Sequence, residues 1–161
     1  MIRRGRREDF AQILAIINAA AQAYRGVIPP DRWHEPYMPG DELAREIADG
    51  IGFWVAEEDG QLQAVMGIQD KGEVALVRHA YVAPHAQRKG AGTKLLKHVE
   101  ALAAKPVLIG TWAAATWAID FYRRNGYALA TDAEKDALLR KYWSIPGRQI
   151  ETSVVLRRDP A

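Results

Sequence analysis

The spacing of apolar positions predicts two helices in the N-terminal third of the chain. Apolar side chains recur every three or four residues from Phe10 to Tyr24, which is the period of a helix with one buried face. Asp9 and Gln12 have the spacing of a capping box at the start of this helix. A shorter helical pattern follows Asp41 and stops at Gly50, a residue type that commonly ends helices.

A proline-rich segment separates these two helices. Residues 28–40 contain four of the eight prolines, and we therefore predict a rigid loop without regular structure. The same loop carries several large side chains, namely Trp33, His34, Tyr37 and Met38. Because proline fixes φ, these side chains project from a backbone that has little freedom.

Three extended segments joined by tight turns come next. The segments are Phe53–Ala56, Ala64–Ile68 and Val74–Val82. Glu58-Asp59-Gly60 and Asp70-Lys71-Gly72 have the composition of hairpin turns between them. Strands connected by turns this short run antiparallel, so we predict an antiparallel sheet in this region.

The second half of the chain alternates helices and strands. The predicted elements are a helix marked by Leu95, Leu96, Val99 and Leu102, a strand at Val107–Ile109, a helix at Ala115–Arg124, a helix from a Thr131–Glu134 capping box to about Trp143, and a strand at Ile150–Leu156. A strand, a helix and a strand in that order form a parallel crossover. We therefore predict an α/β fold whose mixed sheet changes from antiparallel to parallel at Val74–Val82. Ligands bind at such switch points.

Composition and charge exclude several classes of function. The chain has no cysteine, which removes disulfides, thiolate metal sites and a covalent thioester on this protein. Its four histidines show no paired metal-ligand spacing, so we expect no metal. A formal charge of +2 does not favour a nucleic-acid partner, and we interpret Arg3, Arg4, Arg6 and Arg7 as an exposed first strand and turn. No apolar run reaches the ~20 residues of a membrane span and no signal peptide is recognisable, so we expect a cytoplasmic protein.

The segment Gln87–Thr93 carries the most informative chemistry. It lies where a buried strand is predicted to end and a helix to begin. Gly90 and Gly92 let a ligand approach the backbone closely, and free amide groups at a helix start favour anions. Arg88 and Lys89 add positive charge. These features suit a pyrophosphate, although the spacing fits neither a Walker A loop nor a dinucleotide fingerprint. A flexible turn that opens an ordinary helix is the alternative.

Two motifs resemble those of the GNAT superfamily of N-acetyltransferases. Gln87-Arg88-Lys89-Gly90-Ala91-Gly92 is similar to the family signature Gln/Arg-x-x-Gly-x-Gly/Ala. Residues 118–127 are similar to the family form Ala-x-x-Phe-Tyr-x-x-x-Gly-Phe, with Tyr127 in place of Phe. The order of predicted elements also fits, so the resemblance covers most of the chain. It implies one GNAT-like domain over residues 1–161, with a mixed sheet of about seven strands flanked by helices.

The resemblance implies a site for acetyl-CoA as co-substrate. The family pattern places the pantetheine arm along the backbone of Ala80, Tyr81 and Val82, where a backbone N–H polarises the acetyl carbonyl. It places the pyrophosphate on the segment formed by Gln87, Arg88, Lys89, Gly90, Ala91, Gly92 and Thr93. Tyr122 matches the family tyrosine that borders the co-substrate and protonates the leaving thiolate. Its alternative role is an aromatic on the buried face of a helix. Ala115 departs from the family, because many members carry an asparagine there that bonds the co-substrate arm, and Thr116 is the nearest substitute.

The catalytic base is less well defined by the residues. His79 is the first candidate, because an unperturbed histidine titrates at about pH 6.5 and this one lies on the strand beside the acetyl group. The alternative is a half-buried, hydrogen-bonded histidine. Strand alternation predicts Val77, His79 and Tyr81 on one face, and Arg78, Ala80 and Val82 on the other. His34 and Glu35 are second candidates, with surface exposure as their alternative.

Aromatic residues are candidates for the acceptor pocket. We expect the proline-rich loop to form one wall with Trp33, Glu35, Tyr37 and Met38, and Trp112 and Trp117 to form another. Such walls suit an aromatic or apolar amine, and a cation can sit over an indole. The alternative is that these aromatics belong to the core or to a dimer contact.

Together these observations predict an enzyme, an acetyl-CoA-dependent N-acetyltransferase. We expect direct transfer of the acetyl group to a primary amine of a small molecule, because no cysteine is available to carry it. Two alternatives stay open: a non-catalytic, regulatory module that binds coenzyme A, and acetylation of a protein N-terminus or lysine. A homodimer through Tyr142, Trp143 and Ile145 is an alternative to burying those side chains in the core.

Overall fold

The chain folds around one mixed sheet, described here from a computed structural model that covers residues 1–160. Within those residues seven strands pair in the order β1-β2-β3-β4-β5-β7-β6. All neighbours are antiparallel except β4 and β5, which are parallel. The strands are β1 Ile2–Arg4, β2 Gly52–Glu58, β3 Gln61–Asp70, β4 Ala75–Val82, β5 Val107–Trp112, β6 Ala128–Leu129 and β7 Ser153–Arg158. The predicted α/β fold, with a sheet of about seven strands that switches direction at β4, is confirmed.

Helices cover both faces of the sheet. They are α1 Phe10–Ala20, α2 Gly40–Ala48, α3 Ala91–Leu102, α4 Thr116–Arg124, α5 Asp132–Tyr142 and α6 Gly147–Glu151. Leu95 and Val99 of α3 pack with Val77 and Ile109 on one face, together with α4. The opposite face is covered by α1 and α2 and, further along, by α5. No helix among residues 1–160 is both long and apolar enough to cross a membrane.

Two local predictions are confirmed by the backbone geometry. In the β2–β3 hairpin, Asp59 and Gly60 have φ of 52° and 79°, as a two-residue hairpin turn of the predicted kind requires. At the start of α5, the amide of Glu134 donates to Thr131 Oγ1 at 3.2 Å, and the amide of Thr131 donates to Glu134 Oε1 at 3.3 Å. The capping box predicted from these residue types is therefore formed.

The predicted capping box at the first helix is wrong, because both side chains have other partners. The Asp9 carboxylate accepts from the guanidinium of Arg3 at 2.8 and 3.0 Å and from the amide of Arg6 at 2.7 Å. Gln12 Oε1 accepts instead from the amide of Leu62 at 3.1 Å. Arg3 is therefore half-buried rather than exposed as predicted.

Several element boundaries also differ from prediction. The first helix ends at Ala20 and continues as a 3-10 turn to Tyr24, and the proline-rich loop contains one such turn, Pro30–Arg32. Ile150 belongs to α6, so the last strand begins at Ser153. The buried ammonium of Lys135 donates to the carbonyl of Ile150 at 2.9 Å, which ties α6 to α5. The two-residue strand β6 was not predicted, because it is too short to show a pattern.

Candidate active site

Strands β4 and β5 separate partway along their length. They pair from Ala75–Val77 to Val107–Ile109, and then each continues alone, β4 to Val82 and β5 to Trp112. In the part of the chain that the structure describes, no strand lies beside the edge of β4 that faces β5 after Val77. An edge of this kind offers unpaired N–H and C=O groups to an extended ligand.

A bulge lies in β4 at the point where the two strands separate. Tyr81 pairs with Val65 and Arg78 pairs with Gly67, so two residues of β4 oppose Met66 alone. One of these two residues, His79, has φ of 55°, which is left-handed and uncommon outside glycine. A side chain at Gly67 would place its Cβ 2.8 Å from the carbonyl oxygen of Arg78. Glycine there lets β3 approach β4 closely just before the bulge.

The bulge makes the predicted alternation along β4 wrong. Val77 and Ala80 pack on the face covered by α3, whereas Tyr81 packs on the face covered by α1. His79 and Arg78 both contact Glu46 of α2, on the same face as Tyr81. The extra residue therefore moves Val77 and Arg78 to the faces opposite to those predicted.

A cavity of about 340 Å³ lies in the gap between the two strands. Its size lies in the range of small-molecule sites. It brings together the predicted residues His79, Ala80, Tyr81, Val82, Gln87, Gly92 and Tyr122. Other parts of its wall come from Tyr24, from Thr111 of β5 and from Trp117 of α4.

The start of α3 borders this cavity, whose wall includes Gln87, Gly92 and Leu95. Gly90 precedes the helix with φ of 79°, and Arg88 is also left-handed with φ of 67°. Within the described chain no side chain caps the first amides of α3, so these amides are free to bind an anion. Arg88, Lys89 and Thr93 are exposed around them, and Ala91 is half-buried.

The gap beside Gly92 fits an extended ligand arm. A Cβ built on Gly92 would lie 3.1 Å from Val82 Cγ2 and 3.8 Å from Phe121 Cζ. Because glycine has no side chain, Gly92 leaves a passage open between β4 and α4, next to the free amides of α3. The passage beside Gly92 thus has room for the pantetheine arm of coenzyme A, and the free amides of α3 form an anion site for its pyrophosphate.

Tyr122 lines the larger cavity together with Gly92 and Phe121. Its ring is buried and packs edge-on against Phe121 and Tyr127, with centroid distances of 5.2 and 5.7 Å. Burial raises the pKa of Tyr122 well above its usual value, and the nearby Tyr24 and Tyr127 add to the effect. The phenol is protonated at neutral pH, as an ordinary tyrosine is, and the raised pKa keeps it protonated to higher pH.

His79 belongs to a cluster that sequence reasoning did not identify. Its Nε2 lies 3.0 and 3.2 Å from the two carboxylate oxygens of Glu46. The guanidinium of Arg78 lies 2.8 Å from the same carboxylate. Glu46 is 33 positions earlier in the chain, and its one sequence signal is its place one turn after the buried Leu43 on α2.

A second, smaller cavity of about 130 Å³ adjoins the first. The two share wall residues, including His79, Tyr24 and Thr111. Tyr37 and Trp112 line the second cavity as predicted, and the indole N–H of Trp112 donates to the Tyr37 hydroxyl at 3.3 Å. Further wall residues that sequence reasoning missed are Arg78, Leu139, Trp143, Ile145, Gln149 and Ser153.

Other predicted site residues lie elsewhere. Trp33 packs behind Tyr37, with ring centroids 5.7 Å apart, and within residues 1–160 it lines neither cavity. Glu35 is exposed and lies 3.9 Å from Arg25, also outside both walls. His34 is exposed, and its Nδ1 lies 3.0 Å from the carbonyl of Pro36. Met38 is a core residue.

The departure from the family pattern at Ala115 is visible as a packing difference. Ala115 is fully buried against Ile28 and Trp112. Thr116 is exposed at the first position of α4, and it lies outside the wall of the larger cavity as the structure describes it. Neither side chain supplies the amide group that many family members place here. The histidine and carboxylate side chains of residues 1–160 form no group of three or more that can hold a metal ion.

Comparison with known proteins places this site in a family. A family model described as an acetyltransferase (GNAT) domain matches residues 49–129. An S-alkylcysteine N-acetyltransferase of Bacillus subtilis (strain 168) is 30% identical over 144 residues, which cover 80% of this chain and 79% of that protein.

Solved structures agree with the fold. The crystal structure of PaiA N-acetyltransferase from Thermoplasma acidophilum, in complex with coenzyme A, matches with a TM-score of 0.74 at 18% identity, over 99% of this chain and 98% of that one. N-acetylglutamate synthase from Neisseria gonorrhoeae, complexed with coenzyme A and N-acetyl-glutamate, matches with a TM-score of 0.68 at 20% identity, over all of this chain and 35% of that one.

The chain therefore belongs to the GNAT acetyltransferase family. It is an N-acetyltransferase, and acetyl-CoA is its co-substrate. The family, the enzyme class and the co-substrate predicted from the two motifs are confirmed.

Proposed function

We propose that this enzyme transfers the acetyl group of acetyl-CoA directly to the primary amine of a small molecule that occupies the second cavity. The observation that carries the proposal is the junction of the two cavities at His79. The wall of the larger cavity includes Gly92 at the start of α3, and the wall of the smaller one includes Leu139 and Trp143 at the end of α5. Two substrates can therefore meet at one point without crossing each other's path.

The walls of the second cavity favour an amine with an apolar substituent. Tyr37, Trp112, Trp143 and Ile145 supply apolar surface, whereas Arg78 supplies a guanidinium of which one nitrogen already pairs with Glu46. An amino acid with an apolar side chain satisfies both, because its carboxylate can face the guanidinium and its side chain the aromatic wall. The Bacillus subtilis relative is named for such a compound, an S-alkylcysteine. We propose the same chemical class here.

Three parts of the site divide the chemistry between them. The thioester supplies an activated acetyl carbonyl, and the unpaired backbone of Ala80–Val82 orients it and donates an N–H to the carbonyl oxygen. His79 accepts a proton from the attacking amine as the new C–N bond forms. Tyr122 gives its proton to the sulfur as the C–S bond breaks, so that proton and charge balance. With no cysteine in the chain, transfer is direct.

The proposal is tested by thiol release over a panel of acceptors. Purified protein is mixed with acetyl-CoA and S-methyl-L-cysteine, S-benzyl-L-cysteine, a small amine without a carboxylate, or a peptide with a free N-terminus. We expect the highest kcat/KM for the S-substituted cysteines, and no release with N-acetyl-S-methyl-L-cysteine as the matched control. Faster turnover of the peptide would show a protein acetyltransferase. Coenzyme A binding without release for any acceptor would show a non-catalytic module.

Location and assembly remain predictions. We propose a cytoplasmic enzyme, which fractionation of the source cells tests. A homodimer through the α5–α6 region competes with the acceptor site for Trp143 and Ile145, because both side chains line the second cavity. Light scattering of the purified protein at micromolar concentration distinguishes monomer from dimer.

A further inference from the structure

The carboxylate of Glu46 holds two neighbouring residues of the β4 bulge at once. One oxygen lies 3.0 Å from His79 Nε2 and 2.8 Å from the guanidinium of Arg78, and the other lies 3.2 Å from His79 Nε2. The side chains of His79 and Glu46 are each 15% exposed, so water competes little for these contacts.

This contact determines which ring nitrogen of His79 can accept a proton. An ionised carboxylate only accepts hydrogen bonds, so Nε2 of His79 must carry the hydrogen. In a neutral imidazole the other nitrogen, Nδ1, then holds the free lone pair. His79 lines both cavities at their junction, where the amine and the acetyl group must meet.

We propose that Glu46 is a positioning residue that holds His79 as the Nε2–H tautomer, with Nδ1 as the proton acceptor, and stabilises the imidazolium once the proton has arrived. The inference rests on the proposed function of His79 as the base. It assigns to α2, an element outside both family motifs, a part in proton transfer.

The surrounding charges keep Glu46 ionised. Burial alone opposes ionisation, but the hydrogen bond from His79 and the positive charges of Arg78 and Arg45 hold the pKa of Glu46 below its usual value. Arg78 also opposes a positive charge on His79, so the two neighbours of the imidazole act in opposite directions. The other titratable groups near the cluster are Glu42 on α2 and the phenols of Tyr24, Tyr37 and Tyr81.

Because Glu46 and Arg78 act on the charge of His79 in opposite directions, their removal should shift the pH profile of kcat in opposite directions. In Glu46→Gln the amide can still accept from His79 Nε2, but its charge is gone and Arg78 is unpaired. We expect the acidic limb of the kcat profile to move to lower pH by about one unit, and kcat on the plateau to fall by about tenfold. In Arg78→Gln we expect the limb to move to higher pH. The matched control is Glu42→Gln, which removes the same charge one turn earlier on α2 and leaves the limb in place.

A structural role for Glu46 predicts different results. If the carboxylate merely clamps the bulge, Glu46→Gln lowers the melting temperature and weakens coenzyme A binding, and the pH profile keeps its shape. We expect the dissociation constant for coenzyme A, measured by calorimetry, to change by less than about twofold in all three variants.

Nitrogen NMR of the imidazole gives a readout that needs no activity. In the wild-type protein at pH 8 we expect the His79 signals of the Nε2–H tautomer, assigned by their loss in His79→Gln, and a mixture of tautomers in Glu46→Ala. An Nδ1–H tautomer in the wild type, or superimposable pH profiles of wild type and Glu46→Gln, would overturn the inference. If the wild type shows the Nε2–H tautomer and releases no thiol with any acceptor, the inference about positioning stands and the proposed function fails.

Discussion

The role of Tyr122 can be tested by removing one atom. In Tyr122→Phe the ring keeps its edge-on packing against Phe121 and Tyr127. Within residues 1–160 the Tyr122 hydroxyl has no hydrogen-bond partner, so its removal leaves no buried partner unsatisfied. We therefore expect the free energy of unfolding to change by less than about 1 kcal/mol, and the affinity for coenzyme A to stay within about twofold.

The loss of the hydroxyl is expected to appear in kcat. A positioned proton donor contributes about 10²- to 10⁴-fold, which is about 3 to 5 kcal/mol of barrier. We expect kcat to fall by about 10²-fold or more with KM for the acceptor little changed. Because the pKa of Tyr122 is raised above its usual value, the wild type should show no alkaline loss of activity from this group up to about pH 9.

Single-turnover and steady-state thiol release measure this directly. The matched control is Tyr127→Phe, since Tyr127 is also buried and contacts Tyr122 but does not line the larger cavity as described. We expect this control to keep wild-type kcat. Two results refute the reasoning: Tyr122→Phe with kcat within twofold of wild type, or Tyr122→Phe that no longer binds coenzyme A.

Three further predictions concern binding and stability. Gly92→Trp fills the passage beside Val82 and should abolish the heat of coenzyme A binding. The control Gly147→Trp, at an open surface position, should leave that heat unchanged. Equal heats for the two variants contradict the assignment of this passage to coenzyme A. Asp9→Asn weakens the contacts with Arg3 and should lower the free energy of unfolding in urea by about 2 kcal/mol, unlike Asp41→Asn at an exposed position; equal midpoints would count against it. Burial raises the pKa of five tyrosines, so above about pH 10 the unfolded chain releases protons that the native state keeps. The free energy of unfolding should therefore fall by up to about 1.4 kcal/mol per pH unit for each tyrosine. A urea midpoint that is unchanged between pH 9 and 10.5 refutes this. The tyrosines are Tyr24, Tyr37, Tyr81, Tyr122 and Tyr127.

Sequence reasoning succeeded where the signal is local. The Asp59-Gly60 turn and the Thr131–Glu134 capping box depend on backbone conformations within four residues, and both formed as predicted. The start of α3 after Gly90 is likewise a local feature and was predicted at this place, whereas the binding role of Gln87–Gly92 stays a prediction. Such features need no knowledge of what packs against them.

It failed where the structure depends on contacts between distant segments. The Asp9 carboxylate does not cap the helix because it binds Arg3 of β1 instead. The helix pattern alone does not show that Arg3 lies nearby. The bulge at His79 depends on how closely β3 approaches β4 at Gly67, and period-two alternation assumes that no bulge exists. Glu46 reaches His79 from another element, and nothing within its own helix distinguishes it from a surface glutamate except the nearby Leu43.

The short ladder between β4 and β5 also bears on how the protein unfolds. The two parts of the sheet share three backbone pairs, so the N-terminal and C-terminal strands are less tightly coupled than in a sheet that is paired along its full length. A ligand that lies along the free edge of β4 completes the ladder, and in this sense it acts as an eighth strand. Saturation at about a hundred times the dissociation constant stabilises the native state by about 2.7 kcal/mol. We expect this gain to appear as slower amide hydrogen exchange in residues 78–82, so that the co-substrate is at the same time a reactant and a part of the folded sheet.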